Sequence, residues 1–591
     1  MKRREAAIGL LLAAPAVMGL LAFLVLPFGY TFLRSFTVGL GWGRFVGLEN
    51  YGQLFGNRLF LLALKNTFLF LACGLALILP LSLFLALLLQ KTGKWGKGLA
   101  MALLFPMVLP VSAIVIVVNL VFAENGLLSQ LTGPTPWMDS PFAFVILLGL
   151  YLWKNVGIGV VILLAGLTTI PGELYESANM DGAGKWTRLT KVTLPMLRPE
   201  LLVVTILSSL NAFKNFREAF VLGGDHPQES IYMLQHFMNN NFENMNFPRL
   251  SVAAVVFFAL LFCLYTLLLK SPLGRGEPAF ESSGRRPSKM SKGATLFLVL
   301  AALLFLLPVA FTIGCSFLSP QEVQRVFGPL LGEGSAAVVG GLPQGFSLMG
   351  YYEVFFATPD YLVKFWLSLL LAVGAVVGQV VISCMGGFAF AFFDFPGKRL
   401  LFGLLCFFML VPLQVTLLPN YLLLDAFGLL NTYWALLLPL AFAPLGTFLL
   451  TQIFRSVPAD ILQAARLDGA GTLQVMVKVL LPCGKSGVST LIILTLIESW
   501  NMVEQPLIYL KDVGSYPLSV FLASRYTENL PLQFVCCVLS LLPLALCFFI
   551  AAAMCWTVGF PRRRRHETSH SESELCATAG IGVMHGCLLP H

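Results

Sequence analysis

Residues 171–195 and 458–482 can be laid over one another without a gap, and no other feature of the chain limits its fold as tightly. The first reads PGELYESANMDGAGKWTRLTKVTLP and the second PADILQAARLDGAGTLQVMVKVLLP. The offset is the same at both ends (458 − 171 = 482 − 195 = 287). Ten of the twenty-five positions are identical: the outer prolines, Ala178/Ala465, the Asp-Gly-Ala-Gly blocks, Lys191/Lys478, Val192/Val479 and Leu194/Leu481. A polar segment repeated this faithfully in an otherwise apolar chain predicts two homologous halves joined head to tail.

Each copy predicts a helix, a glycine turn and a second helix. Pro171 and Pro458 suit a first helical turn, where a missing N–H is harmless. Glu173, Glu176 and Asp460 fall in that turn and complement the positive end of the helix dipole. Asp181-Gly182-Ala183-Gly184 and Asp468-Gly469-Ala470-Gly471 then stop the helix. A short segment with Lys185, Arg188 and Lys191, or Lys478, follows and ends at Leu-Pro. Taken alone, such a hairpin reads as an interfacial element lying on a membrane surface.

Composition supplies the membrane. The chain is 57% hydrophobic and only 11% charged, with mean hydropathy +0.83; soluble domains carry about twice that charge. Apolar runs of roughly the 20 residues that cross a bilayer recur throughout. They lie near Ala6–Leu33, Leu59–Leu89, Leu99–Phe122, Phe142–Leu167, Leu201–Leu222 and Leu250–Leu269. The second six lie near Ala294–Leu318, Phe365–Phe393, Leu400–Leu424, Thr432–Phe454, Val488–Leu510 and Phe534–Phe560. The expected fold is an all-α polytopic membrane protein of about twelve spans in two six-helix halves, residues 1–270 and 294–560. A polar linker (271–293) joins them, and a basic, polar tail (561–591) is expected to be disordered. A loop rich in Gly and Pro, Ser319–Asp360, separates the first two spans of the second half.

With Lys2-Arg3-Arg4 placed inside and sides alternated, most of the 38 Lys and Arg fall on the cytoplasmic side. Both repeat copies and both termini land there too. The net charge of +9 thus reports topology, not nucleic-acid binding. The twelve Cys form no C-x-x-C pair with metal spacing and read as small core hydrophobes.

The repeated loops carry a resemblance. Glu176-Ser177-Ala178, Gly182 and Val192-Thr193-Leu194-Pro195, with Gln463-Ala464-Ala465, Gly469 and Val479-Leu480-Leu481-Pro482, resemble the cytoplasmic signature of permease subunits of ABC importers. Trp153-Lys154-Asn155-Val156-Gly157 and Leu164-Ala165-Gly166-Leu167 are similar to the first permease of carbohydrate importers; Glu498-Ser499-Trp500-Asn501 is similar to the second. The likeness spans nearly the whole chain except the linker and the tail. It departs in the fusion of two usually separate permeases and in Ser177 and Gln463, the latter removing an acidic residue from the second copy.

The resemblance implies the membrane domains of a type I ABC importer in a bacterial plasma membrane. It implies two copies of a separate ATPase that use ATP and Mg, an extracytoplasmic solute-binding protein and a carbohydrate cargo. It assigns ATPase coupling to Glu176, Ala178, Asp181, Gly182, Gly184, Leu194 and Pro195, and to Gln463, Ala465, Asp468, Gly469, Gly471, Leu481 and Pro482. The chain has no G-x-x-x-x-G-K-[ST] loop, so it is expected to be no enzyme and to bind no cofactor or metal itself.

Polar groups within spans usually face a cavity or a partner. Trp153, Asn155, Asn211, Lys214, Asn215, Glu218, Glu498, Trp500 and Asn501 are therefore candidates for the substrate pathway. Aromatic rings beside amides and carboxylates suit the C–H faces and hydroxyls of a sugar. The competing reading makes Lys214, Arg217, Glu218, Glu498 and Glu504 structural ion pairs or interfacial groups. Tyr232, Gln235, His236 and Asn239–Asn241 fall in an outer loop, either as contacts for a binding protein or as a plain polar loop. Two further readings stay open: an ABC permease for a sugar phosphate or other solute, and an ion-coupled secondary transporter with two similar halves.

Overall fold

The computed structural model describes residues 2–39, 43–92, 96–122, 124, 126–133, 135–224, 226–273, 292–327, 345–357, 359–409, 413–525 and 530–558. The expected tail and most of the expected linker lie outside the described residues. Apart from one antiparallel pair of two-residue strands, in which Thr37 faces Phe45 and Val38 faces Arg44, the described elements are helical.

Each of the twelve expected spans corresponds to helix, but fewer are intact. Among the described residues seven helices are long and apolar enough to cross a membrane, or up to nine if two bent pairs each count once. The last expected span is also one continuous helix, Leu530–Val558, and the shorter apolar helices Gly98–Met107 and Val415–Ala426 stand where the third and ninth are expected. Proline explains one loss, because it lacks an N–H and clashes with the preceding turn. The third span is cut by a 3₁₀ turn at Phe105–Val108, around Pro106, into Gly96–Leu104 and Val111–Phe122. The ninth is described as Lys398–Met409 and Leu413–Ala426. The eleventh ends at Trp500 and resumes as Glu504–Tyr509. The Ser319–Asp360 loop is not wholly irregular, since Pro320–Phe327 is helical with Val323 and Phe327 buried.

Helices surrounded by lipid gain little from hydrophobicity when they meet, so they associate through close approach at small residues. The two halves do this alike. A Cβ at Gly159 would lie 2.5 Å from Ser82 Oγ and 3.2 Å from Val204; at Gly446 it would lie 2.2 Å from Ser383 Oγ and 3.0 Å from Leu491. These contacts bring Phe142–Thr169 against Arg58–Leu89, and Pro444–Arg455 against Pro359–Phe392. A neighbouring contact keeps its place but reverses its sense. Gly166 makes room for the Glu200 side chain, whereas one repeat later Ile453 fills the space left by Gly487.

The first helix of each half packs on the other half. Arg3–Arg34 lies against the second half: Ala13 and Leu20 share a core with Phe388, Phe390 and Leu491, and the Phe23 and Phe442 rings stack at 5.7 Å. Reciprocally, Lys292–Ser316 lies on the first half, where Trp153 Nε1 donates to the Phe305 carbonyl at 3.1 Å and Phe84 meets Phe297 edge-on at 5.7 Å.

Candidate coupling hairpins and the seam between the halves

The two repeat copies fold into near-identical hairpins. Helices Gly172–Met180 and Ala459–Leu467 start just after Pro171 and Pro458. Both end in the same turn. Gly182 and Gly469 take φ of +73° and +82°, the left-handed region that a Cβ disfavours. That conformation lets Ala183 N–H donate to the Ala178 carbonyl at 2.9 Å and Ala470 N–H to the Ala465 carbonyl at 3.0 Å. Gly182 and Gly469 N–H close the inner bonds, to Asn179 at 3.1 Å and Arg466 at 3.0 Å. Carbonyls that a helix C-terminus leaves orphaned are satisfied in this way. Ala178 and Ala465 thus serve as acceptors, Asp181 and Asp468 as C-caps, and Gly184 and Gly471 as the caps that open the next helix.

The second arm of each hairpin widens into a π turn in the same register, Leu189–Thr193 and Met476–Leu480. Leu194-Pro195 and Leu481-Pro482 then begin one short turn each. Beyond it the chain bends, by 72° in the first copy and 82° in the second, into the span that follows. The arms are fastened differently. Tyr175 and Thr193 hydroxyls lie 3.0 Å apart, whereas the equivalent Leu462 and Leu480 are both buried and apolar. Glu176 and Gln463 are exposed on the outer face.

The hairpins also expose large apolar side chains at matched positions. Leu174, Met180 and Trp186 are exposed in the first copy, and Ile461, Leu467 and Leu473 in the second. Each pair is one repeat length apart. Met180 and Leu467 are nearly fully open, at 89% and 88%.

The polar candidates in the spans divide into two groups. One makes its contacts locally. Asn155 Nδ2 donates to the Tyr151 carbonyl at 2.9 Å, and Asn501 Nδ2 to the Ile497 carbonyl at 3.1 Å. Trp500 is buried edge-on to Phe365, with centroids 5.6 Å apart. Trp153 faces the exchanged Lys292–Ser316 helix, and Asn211 is half-buried. Lys154 pairs with Glu218 inside the first half.

The other group joins the halves. Arg217 Nη2 lies 2.8 Å from Glu498 and its Nε 3.4 Å from Glu504, while Lys214 Nζ lies 3.1 Å from Glu498. Arg217 and Glu504 are 287 residues apart, the offset of the repeat. Their side chains are nearly buried, at 11% and 8%. Buried Asn215 stands between Lys214 and Arg217 in the chain. Beside the cluster, Phe216, Gln235, Asn239 and Phe242 of the first half and Leu417 and Glu504 of the second line one cavity.

The segment expected as an outer loop is a helix, Leu234–Glu243. Tyr232, Gln235, His236, Asn240 and Asn241 are all buried, so these side chains offer no surface to a partner. The plain polar loop expected there is corrected to a helix, and a binding-protein contact is withdrawn for those five side chains, whereas Asn239 is half-buried and donates to exposed Glu243. A hydroxyl that sequence reading missed anchors this helix: Leu234 N–H donates to Thr67 Oγ1 at 2.9 Å. The second half repeats the device, with Leu518 N–H donating to Ser368 Oγ at 2.7 Å.

Comparison with known proteins gives a consistent picture. The family model for a binding-protein-dependent transport system inner membrane component matches residues 78–276 and again 335–555, well over half of the chain. The sulfoquinovosyl glycerol transport permease SmoG of Agrobacterium fabrum is 32% identical over 282 residues, covering 44% of this chain and 89% of the relative. The arabinooligosaccharides transport permease AraP of Bacillus subtilis is 34% identical over 231 residues, 37% and 74% of the two chains. The sn-glycerol-3-phosphate transport permease UgpE of Brucella abortus is 28% identical over 223 residues, 37% and 75%.

Proposed function

The chain belongs to the family of binding-protein-dependent transport system inner membrane components, and from that premise we propose that it forms the whole membrane part of an ATP-driven ABC importer for a carbohydrate. Residues 1–270 and 294–560 do the work of two permeases, with 271–293 as their tether. Each hairpin seats one ATPase subunit, so one chain recruits two copies. ATP and Mg are used on those subunits, and an external binding protein delivers the sugar. Both termini and both hairpins lie on the cytoplasmic side of a bacterial inner membrane.

One observation carries the ATPase partner: the matched apolar pairs Leu174/Ile461, Met180/Leu467 and Trp186/Leu473 on the two hairpins. Large apolar groups left open to water at equivalent places mark docking surfaces. A short helix fixed by a left-handed glycine turn and bent sharply into a span is also stiff enough to transmit a push. The sugar reading is supported by the names of AraP and SmoG; UgpE keeps a sugar phosphate as the second reading.

The test is to extract the chain from its native membrane, ask whether an ATPase accompanies it in two copies per chain, and reconstitute the assembly in liposomes. ATP-dependent uptake of a neutral sugar supports the proposal. Uptake of sn-glycerol 3-phosphate instead moves the cargo to the second reading. Transport by the bare chain on an ion gradient overturns the importer.

A further inference from the structure

We propose that Lys214, Arg217, Glu498 and Glu504 form the outer gate of the pathway, held shut by ion pairs across the axis that relates the two halves. The inference rests on the permease reading above.

Geometry places the cluster on the axis. Two points related by a two-fold lie on opposite sides of it at equal distances. Arg217 and Glu504 occupy equivalent positions of the repeat, yet their side chains meet at 3.4 Å. The axis therefore runs between them, and a route between the halves runs along it.

Geometry also places it toward the outer side. On the proposed topology, the helix that follows the first hairpin, which starts at Arg198, begins on the cytoplasmic side. Arg217 lies nineteen residues further along, about 28 Å at ~1.5 Å per residue, close to the ~30 Å thickness of the hydrocarbon core. The break at Asn215 shortens this only slightly. Glu498 stands thirteen residues beyond Lys485 in the equivalent helix, about 20 Å at the same rise and so in the outer half of the core, where the Arg217 side chain reaches back to it, and Glu504 follows the Asn501–Val503 break further out.

The chemistry suits closure. Identical residues at this point would bring like charges together on the axis. The two halves instead carry opposite ones, an arrangement open only to halves that differ in sequence. Lys214 and Arg217 come from one half, and Glu498 and Glu504 from the other, so every pair among them opens when the halves part. Glu498 is the shared acceptor, 3.1 Å from Lys214 and 2.8 Å from Arg217. Just beside the cluster, Asn215 Nδ2 and Asn501 Oδ1 are buried without a partner. An unsatisfied buried amide calls for an explanation, and a cargo hydroxyl entering past parted ion pairs supplies one.

The gate and the hairpins are linked, since the span carrying Lys214 and the span carrying Glu498 each begin at a hairpin bend. Linkage is reciprocal: if closing the ATPase pair opens the gate, a weakened gate favours closure of the ATPase pair.

The experiment uses the full chain co-purified with its ATPase in liposomes, and follows phosphate release without binding protein. Arg217→Gln is expected to raise that rate on the order of tenfold, equivalent to about 1.4 kcal/mol. Arg217→Lys, which keeps the charge, should stay within about twofold of wild type, on the same scale. Arg217→Gln combined with Glu504→Gln leaves neither of those charges unpaired and serves if the single variant does not assemble; it should also raise the rate. An assembled neutral variant with an unchanged rate overturns the gate, as does a Lys variant as active as the Gln variant. If no ATPase accompanies the wild-type chain, the permease reading itself falls, and the gate with it.

Discussion

Placing a Cβ at Gly182 or Gly469 isolates what the left-handed turn contributes. At φ of +73° and +82° an L-residue is strained, yet no atom lies within 4 Å of where either Cβ would sit. The cost is therefore backbone alone, about 1–2 kcal/mol for an ordinary residue. Helices Gly172–Met180 and Ala459–Leu467 are nine residues long, and an isolated helix of that length is marginal in water, so little reserve stability absorbs the loss. A change of 1–2 kcal/mol shifts such an equilibrium about 5–30-fold. ATPase affinity, measured by titrating the subunit onto solubilised chain, should fall by about that factor for Gly182→Ala or Gly469→Ala on the same conversion. Asn tolerates the left-handed region and should cost less than Ala; Val, β-branched, should cost more and uncouple ATP hydrolysis from uptake while insertion stays normal. Equal affinities for Asn, Ala and Val variants would refute a conformational role for these glycines.

Three further outcomes are expected. Gly487→Ala drives a Cβ to 1.8 Å from Ile453 Cδ1, so thermal stability in detergent should fall by about 1–3 kcal/mol, and adding Ile453→Ala should recover much of it. Thr67→Val or Ser368→Ala leaves the Leu234 or Leu518 N–H without its acceptor, at about 1–3 kcal/mol; hydrogen exchange at those amides should quicken while the hairpins keep their protection. Burial, and secondarily His226, pushes the His236 imidazole down to about 3. An unfolded histidine titrates near 6.5. The stability contributed by keeping His236 neutral is therefore complete above ~6.5 and is lost progressively as pH falls toward ~3, at up to about 1.4 kcal/mol per pH unit. Denaturation at pH 7 and pH 5 should show this slope in the wild type, and His236→Gln should flatten it.

The hairpins were legible because their signals are local: an Asp-Gly-Ala-Gly block forces the same turn wherever it stands. Apolar runs located the spans but not their integrity, since summed hydropathy does not register the break that Pro106 makes in the third. Arg217 and Glu504 were visible as charges, and their offset matched the repeat, but pairing them required knowing that the axis passes there. The Thr67 and Ser368 anchors were hidden by length differences between the halves: the hydroxyls are 301 residues apart (368 − 67) and their N–H partners 284 (518 − 234). Nothing in Arg3–Arg34 or Lys292–Ser316 indicated the exchange of first helices, because apolar helices show no preference for a face.

That exchange bears on how the molecule is made. The first helix leaves the ribosome early, yet its ring partner Phe442 follows Phe23 by about four hundred residues. At roughly 5–20 residues per second, it resides in the bilayer for about 20–80 s before its resting place exists. For much of that interval only its Phe28 end has a partner, Phe258 at 4.6 Å, while its Gly9 and Gly19 notches stand open to lipid or to any insertase that shelters unpaired helices. Joining the halves in one polypeptide ensures that the awaited partner arrives in the same patch of membrane.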